Sequence, residues 1–244
     1  MSSTRAMVLP VFTLTIFVSA VLLFWVQPLF GKMVLPLLGG APTVWNTAML
    51  FFQTTLLAGY AYAHLVGRLA ATRAAVARHL AVLAVGALVL PVAVAEIPQG
   101  DMPPALWLIA LLAVSVGPPI FAVSATAPLI QKWFAGTGHP HAGDPYFLYG
   151  ASNLGSILIL IGYPVLAEPL LRLHQQSRIW AAGYALLAVL ITLCGVLGVR
   201  RNGWNSAPVT KGPAGRPVSW SERAVWIMLS FAPSSLLLGV TTQI

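Results

Sequence analysis

Residues 8–30 read VLPVFTLTIFVSAVLLFWVQPLF, an apolar run without a single charge. About 20 such residues are needed for a helix to cross the hydrocarbon core of a bilayer. The run is too long for a signal-peptide core and no small-x-small cleavage site follows it, so the reading keeps it in the mature protein. Comparable windows recur at 43–66, 80–95, 104–131, 146–167 and 179–199, with a seventh apolar stretch at 224–244. The fold expected is therefore all-α: a polytopic membrane helix bundle of six transmembrane helices plus a seventh that reads as terminal or cut short.

Composition points the same way. Of 244 residues, 58% are hydrophobic and only 7% charged, where a soluble domain carries roughly 25%. The mean hydropathy is +0.85. So few charges cannot cover a globular surface, and most of the apolar surface must face lipid. The net charge of +8 does not indicate nucleic acid, because the basic residues stand singly between apolar runs and form no patch. Cys194 is the one cysteine, which excludes an intramolecular disulfide and reads as a small packing residue.

Basic residues near membrane helices stay on the cytoplasmic side. With the N-terminus inside, Arg5, Arg68, Arg73, Arg78, Lys132, Arg200, Arg201, Lys211, Arg216 and Arg223 fall there, and only Lys32, Arg172 and Arg178 fall opposite. The expected arrangement is multi-pass, with a cytoplasmic N-terminus. Residues 1–199 read as the six-helix bundle and 222–244 as the seventh helix. Between them, residues 200–221 (RRNGWNSAPVTKGPAGRPVSWS) read as a flexible cytoplasmic linker rich in Gly, Pro, Ser and Asn. Six helices, a linker and a new helix are laid out as in a six-plus-six transporter.

Several strings carry more than composition: VQPLFGKMVLPLLGGAPTVWN at 26–46, ATAPLIQKWF at 125–134, TGHPHAGDPYFLYGASNLGSILILIGYPVLAEP at 137–169 and SFAPSSLLLGVTT at 230–242. They resemble the membrane portion of bacterial fused major-facilitator/spermidine-synthase-like integral membrane proteins. The resemblance implies the N-terminal half of a major-facilitator-type bundle, further membrane helices, and a soluble aminopropyltransferase-like domain that binds a decarboxylated S-adenosylmethionine-like ligand. These residues hold no strand, Gly-rich loop and helix unit with a following acid, so no cofactor is assigned. Major-facilitator members often carry a Gly/Asp/Arg-rich signature between helices two and three. Here VGRLAATRAAVAR at 66–78 supplies the glycine and the arginines without the aspartate.

At 100° per residue, Asn46, Gln53, Tyr60 and His64 fall on one stripe of the second helix, which should face protein or water. It lines a pathway or bonds helices together. The fifth helix places Tyr146, Tyr149, Asn153 and Ser156 on one arc, with Gly150 and Gly155 allowing close approach. Asn153, the deepest amide of this helix, must find a partner and is the first choice for a pathway contact. Gly117, Pro118 and Pro119 remove two successive N–H groups near the middle of the fourth span, which predicts a kink or break. Lys32 either snorkels to lipid phosphates or draws an anionic group to the outer mouth, while Trp25 and Trp45 fit an aromatic belt.

His139, His141 and Asp144 form a weak metal candidate lacking a fourth ligand, and Asp144 reads better as the cap of the fifth helix. No metal is assigned. The acids Glu96, Asp101, Asp144, Glu168 and Glu222 all fall at helix ends or in loops, so carboxylates for a polycation must come from elsewhere. Nothing pairs a nucleophile with a base, and an enzyme is not expected. The function expected is a transporter-like module for a small molecule, polyamine-related if the resemblance extends that far. The alternatives are a membrane anchor for an aminopropyltransferase-like enzyme and a non-functional fragment. Partners expected are membrane lipids together with a second helical half, a second copy or a soluble enzyme domain, and no nucleic acid.

Overall fold

The computed structural model describes residues 2–69, 72–200 and 219–241. It is all-helical, 84% helix, with no strand among the described residues. The chain divides into two units, Met1–Asn205 and Ser206–Ile244. The first contains α1 (Ser2–Leu38), α2 (Pro42–Leu69), α3 (Thr72–Ala87), α4 (Pro104–Ser115), α5 (Gly117–Ala135), α6 (Tyr146–Gly162), a π-turn (Tyr163–Ala167), α7 (Glu168–Leu170) and α8 (Leu173–Arg200). The second contains α9 (Trp220–Thr241). Most of the expected linker, residues 201–218, lies outside the described residues.

Met7–Leu38, Tyr146–Leu170 and Leu173–Gly198 are long and apolar enough to cross a membrane, and the bent pair α4–α5 makes a fourth candidate. The first of these is apolar on every side, as suits a helix surrounded by others. Accordingly α1 packs against α5, α6 and α8 and buries Val8, Phe12, Ile16, Val26, Leu29 and Phe30. Its C-terminus is longer than expected: the helix continues past Phe30 to Leu38, where Gly39, at φ +72°, ends it with its N–H on the Leu35 carbonyl.

The main packing pairs are α1 with α6, α2 with α5, α1 with α8, α3 with α5, α1 with α5, and α3 with α8. Exchanging α1 with α5, α2 with α6 and α3 with α8 maps each of these pairs onto one of the same six, while the packing of α2 on α4, as extensive as that of α3 on α8, falls outside the exchange. The two largest interfaces also use glycine alike. A Cβ on Gly59 would lie 3.1 Å from the Ala125 backbone nitrogen on α5, and one on Gly155 would lie 2.8 Å from the Phe17 carbonyl oxygen on α1. Gly150, expected to share this role, has nothing within 4 Å of its Cβ position. Side chains lock the remaining contacts: the Trp180 indole donates to the Leu22 carbonyl at 2.9 Å and the Tyr184 hydroxyl to that of Leu83 at 2.9 Å. Cys194 is buried, with its sulfur 3.3 Å from Thr15 Oγ1.

The expected helix at 80–95 needs correction. Helix α3 begins earlier, at Thr72, and stops at Ala87. Beyond it Pro91 cannot donate to a helical ladder, and 88–97 runs without regular structure. Irregular backbone that packs against a bundle needs partners for its polar groups. Here Ser177 of α8 donates to the Val92 carbonyl, the Ala95 N–H donates to Ser115 Oγ at 2.9 Å, and the Trp107 indole donates to the Ile97 carbonyl at 2.8 Å. Ser177→Ala orphans the Val92 carbonyl and is expected to cost about 1–3 kcal/mol. Thermal unfolding in detergent should show the loss, with faster amide exchange confined to 88–97. Unchanged exchange there would mean that Ser177 does not hold the segment.

At Val116 (φ −140°, ψ −10°), immediately before Gly117-Pro118-Pro119, the axis turns by 68° between α4 and α5. The two prolines remove the N–H groups that would have bonded the Val114 and Ser115 carbonyls.

Candidate functional site

A cavity of about 800 Å³ opens between α1, α2, α4, α5 and the end of α6. Its walls are largely apolar and aromatic, with Phe24, Phe30, Trp45, Phe52, Leu112 and Ile120 among them. Leu112 and Ile120 flank the α4–α5 break. The polar groups are few: Gln27 and Lys32 from α1, Gln53 from α2, Tyr163 from the π-turn and Glu168 from α7. A mostly apolar concavity of this size with a few convergent polar groups is the usual form of a small-molecule site.

Lys32 Nζ forms an ion pair with Glu168 Oε1, and both side chains are partly exposed, at 38% and 42%. The lysine thus has an anionic partner within the chain, at the end of the cavity. The local backbone explains why Glu168 is available. Pro164 has no N–H to offer the Leu160 carbonyl, so the helix widens into the π-turn and the Glu168 N–H bonds to the Tyr163 carbonyl. Gln176 of α8 then donates to the Ala167 and Leu171 carbonyls at 3.2 and 2.9 Å. These bonds hold the turn that carries Glu168 over the end of the cavity.

Of the sequence candidates, Gln53 and Lys32 meet at this cavity. Trp45 also lines it, so it serves the cavity wall and not a belt alone. Asn46 is half-buried, and Tyr60 and His64 are exposed on the same helix outside the lining. Tyr146 and Tyr149 lie 75% and 51% exposed with ring centroids 6.4 Å apart. Asn153 is exposed on α6 and lines no part of the cavity. On α6 it is Leu148, Ala151 and Gly155 that turn inward, and Asn153 lies off that face. Gln27, Tyr163 and Glu168 were missed because each sits beside a proline or at a span end, where the sequence reads as structural punctuation.

The loop before α6 gathers no metal site: among the described residues no group of three or more His, Cys, Asp or Glu converges. The His141 N–H donates to His139 Nδ1 at 3.2 Å, and the His139 ring lies 5.6 Å from that of Phe134. Asp144 does not cap α6, whose N-cap is Pro145 without a side-chain bond.

A second polar feature lies away from the cavity. His79 is fully buried, with Nε2 3.1 Å from Thr126 Oγ1. The Thr126 hydroxyl already donates to the Ala122 carbonyl at 3.0 Å, so His79 carries its proton on Nε2. The rings of Tyr62 and Trp133 lie 6.2 Å from it on two sides. The sequence reading passed over His79 because it placed the third span at 80, one residue later. Compared with protein families, curated proteins and solved structures, the chain matched none of them.

Proposed function

We propose that the chain is a transporter-like membrane module that moves a small molecule through the α1/α2/α6 cavity, with its N-terminus in the cytoplasm of a bacterial inner membrane. On this reading α1, α2, α3, α4–α5, α6–α7 and α8 are six spans and α9 begins a seventh. The observation that carries the proposal is the cavity itself, apolar-walled and furnished with Lys32, Glu168, Gln27 and Gln53. The exchange pattern of the helix pairings supports it, because three-plus-three internal repeats are how each six-helix half of many transporters is built. The bulk of the bundle needs a partner to enclose a pathway, which is a second helical half or a second copy. The likeness to the fused major-facilitator/spermidine-synthase-like proteins, carried by the strings quoted above, favours the same architecture.

On this reading, with the basic residues cytoplasmic, the end of the cavity marked by Lys32 and Glu168 opens on the non-cytoplasmic side. The test is flux in cells overproducing the chain, using radiolabelled spermidine and a panel of neutral amino acids against vector controls. At least one compound should exceed the control. Gln53→Leu, which deletes an amide facing the cavity, should lower that flux about tenfold, a lost hydrogen bond to a ligand. Asn153→Ala should leave it unchanged. Flux equal to control for every compound would reject transport and leave the membrane-anchor reading.

A further inference from the structure

The charge at the cavity mouth narrows what it accepts. We infer that the site takes a small zwitterion with an apolar body, its ammonium on Glu168 and its carboxylate on Lys32; this rests on the transporter reading and names its substrate class.

The cavity carries one cationic and one anionic side chain, and they neutralise each other. A polycation would find a single carboxylate already occupied by Lys32, and binding it there would release an unpaired lysine ammonium beside a second positive charge. An anion would strand Glu168 in the same way. An uncompensated charge at a largely apolar wall is expensive. A zwitterion is the class that inserts between the two and leaves each charge paired. Opening the pair costs little when a zwitterion enters, because each charge gains a ligand partner as it gives up the other. The rest of the ligand then meets Phe24, Phe30, Trp45 and Phe52, while Gln27 and Gln53 supply amides deeper along α1 and α2. The volume accommodates an amino acid with a large side chain. By this reasoning the polyamine expected from the family likeness is disfavoured for this half of the protein.

The experiment is equilibrium binding to the purified chain in nanodiscs, with L-phenylalanine as the zwitterion, phenylalaninamide as the cation, N-acetylphenylalanine as the anion, and spermidine. Phenylalanine should bind at least about tenfold more tightly than the other three, the effect of one unpaired charge-assisted contact. Lys32→Gln and Glu168→Gln should each weaken phenylalanine about tenfold and remove the preference over one singly charged analogue, N-acetylphenylalanine for the glutamate variant and phenylalaninamide for the lysine variant. The charge-swapped Lys32→Glu/Glu168→Lys protein retains the pair and should keep the preference for the zwitterion, which separates loss of binding from loss of fold.

Spermidine or phenylalaninamide binding as tightly as phenylalanine would overturn the inference, as would phenylalanine binding that ignores both single substitutions. If phenylalanine binds with this preference but is not moved across the bilayer, the inference stands and the transport reading falls. If flux of another compound is seen with no zwitterion binding, transport stands and the inference falls.

Discussion

Gly155→Leu should abolish recovery of monodisperse protein, and Gly155→Ala should lower the thermal midpoint in detergent measurably. Even the first added carbon would stand 2.8 Å from the Phe17 carbonyl oxygen and 3.3 Å from Ala20 Cβ. The obstacle is backbone, which cannot swing aside as a flexible side chain can, so α6 must move away from α1. That interface is among the largest in the bundle. Without a hydrophobic force between helices in lipid, close packing is what holds them. Overpacking of this kind costs roughly 1–3 kcal/mol for a small insertion and more for a branched side chain. Gly150→Ala, one turn and a half earlier with open space at its Cβ position, serves as the control and should be neutral or slightly stabilising, as glycine is a poor helix former. Equal destabilisation at both positions would show that α6 does not approach α1 through Gly155.

Ala48→Trp is expected to remove function while leaving the fold in place. Ala48 belongs to the buried core and lines the cavity from α2, beside Trp45 and Phe52, so a tryptophan there fills the cavity volume. Flux should fall at least about a hundredfold, the effect of losing roughly 3 kcal/mol of ligand binding when the cavity is filled. The thermal midpoint should stay near that of the native chain. Leu57→Trp, at a position 69% exposed on the same helix, should leave flux intact. A protein that transports normally with Ala48→Trp would place the pathway elsewhere.

The parts of the architecture legible in the sequence are those set by uninterrupted physical signals. The uncharged run in α1 announced a helix apolar on every face, and the structure surrounds it with α5, α6 and α8. Gly117-Pro118-Pro119 could not continue a ladder, and the axis turns by 68° beside them. What the sequence hides is satisfaction at a distance. Residues 88–97 look helical by composition, yet side chains from Ser115, Trp107 and Ser177, remote in sequence, offer their backbone other partners.

The cavity is hidden for the same reason. Lys32 and Glu168 are far apart in the chain and meet because Pro164 widens the end of α6 into a π-turn, a geometric consequence that hydropathy does not encode. The polar stripe on α2 follows from its period, but the period alone does not say which of its residues faces a cavity. Gln53 does, whereas Tyr60 and His64 do not line it. On α6 the polar arc and the packing face are separate, so the amide of Asn153 faces outward.

The measurement that tests the central claim most directly is cysteine accessibility in intact membranes. Cys194 is fully buried, so the native thiol should be silent toward a membrane-impermeant maleimide. Gln53→Cys, on the cavity wall, should react from the side where the cavity opens, and Leu57→Cys, one turn on and outside the lining, should not. Failure of Gln53→Cys to react, or equal reaction at both positions, would contradict a water-filled substrate pathway between α1, α2 and α6.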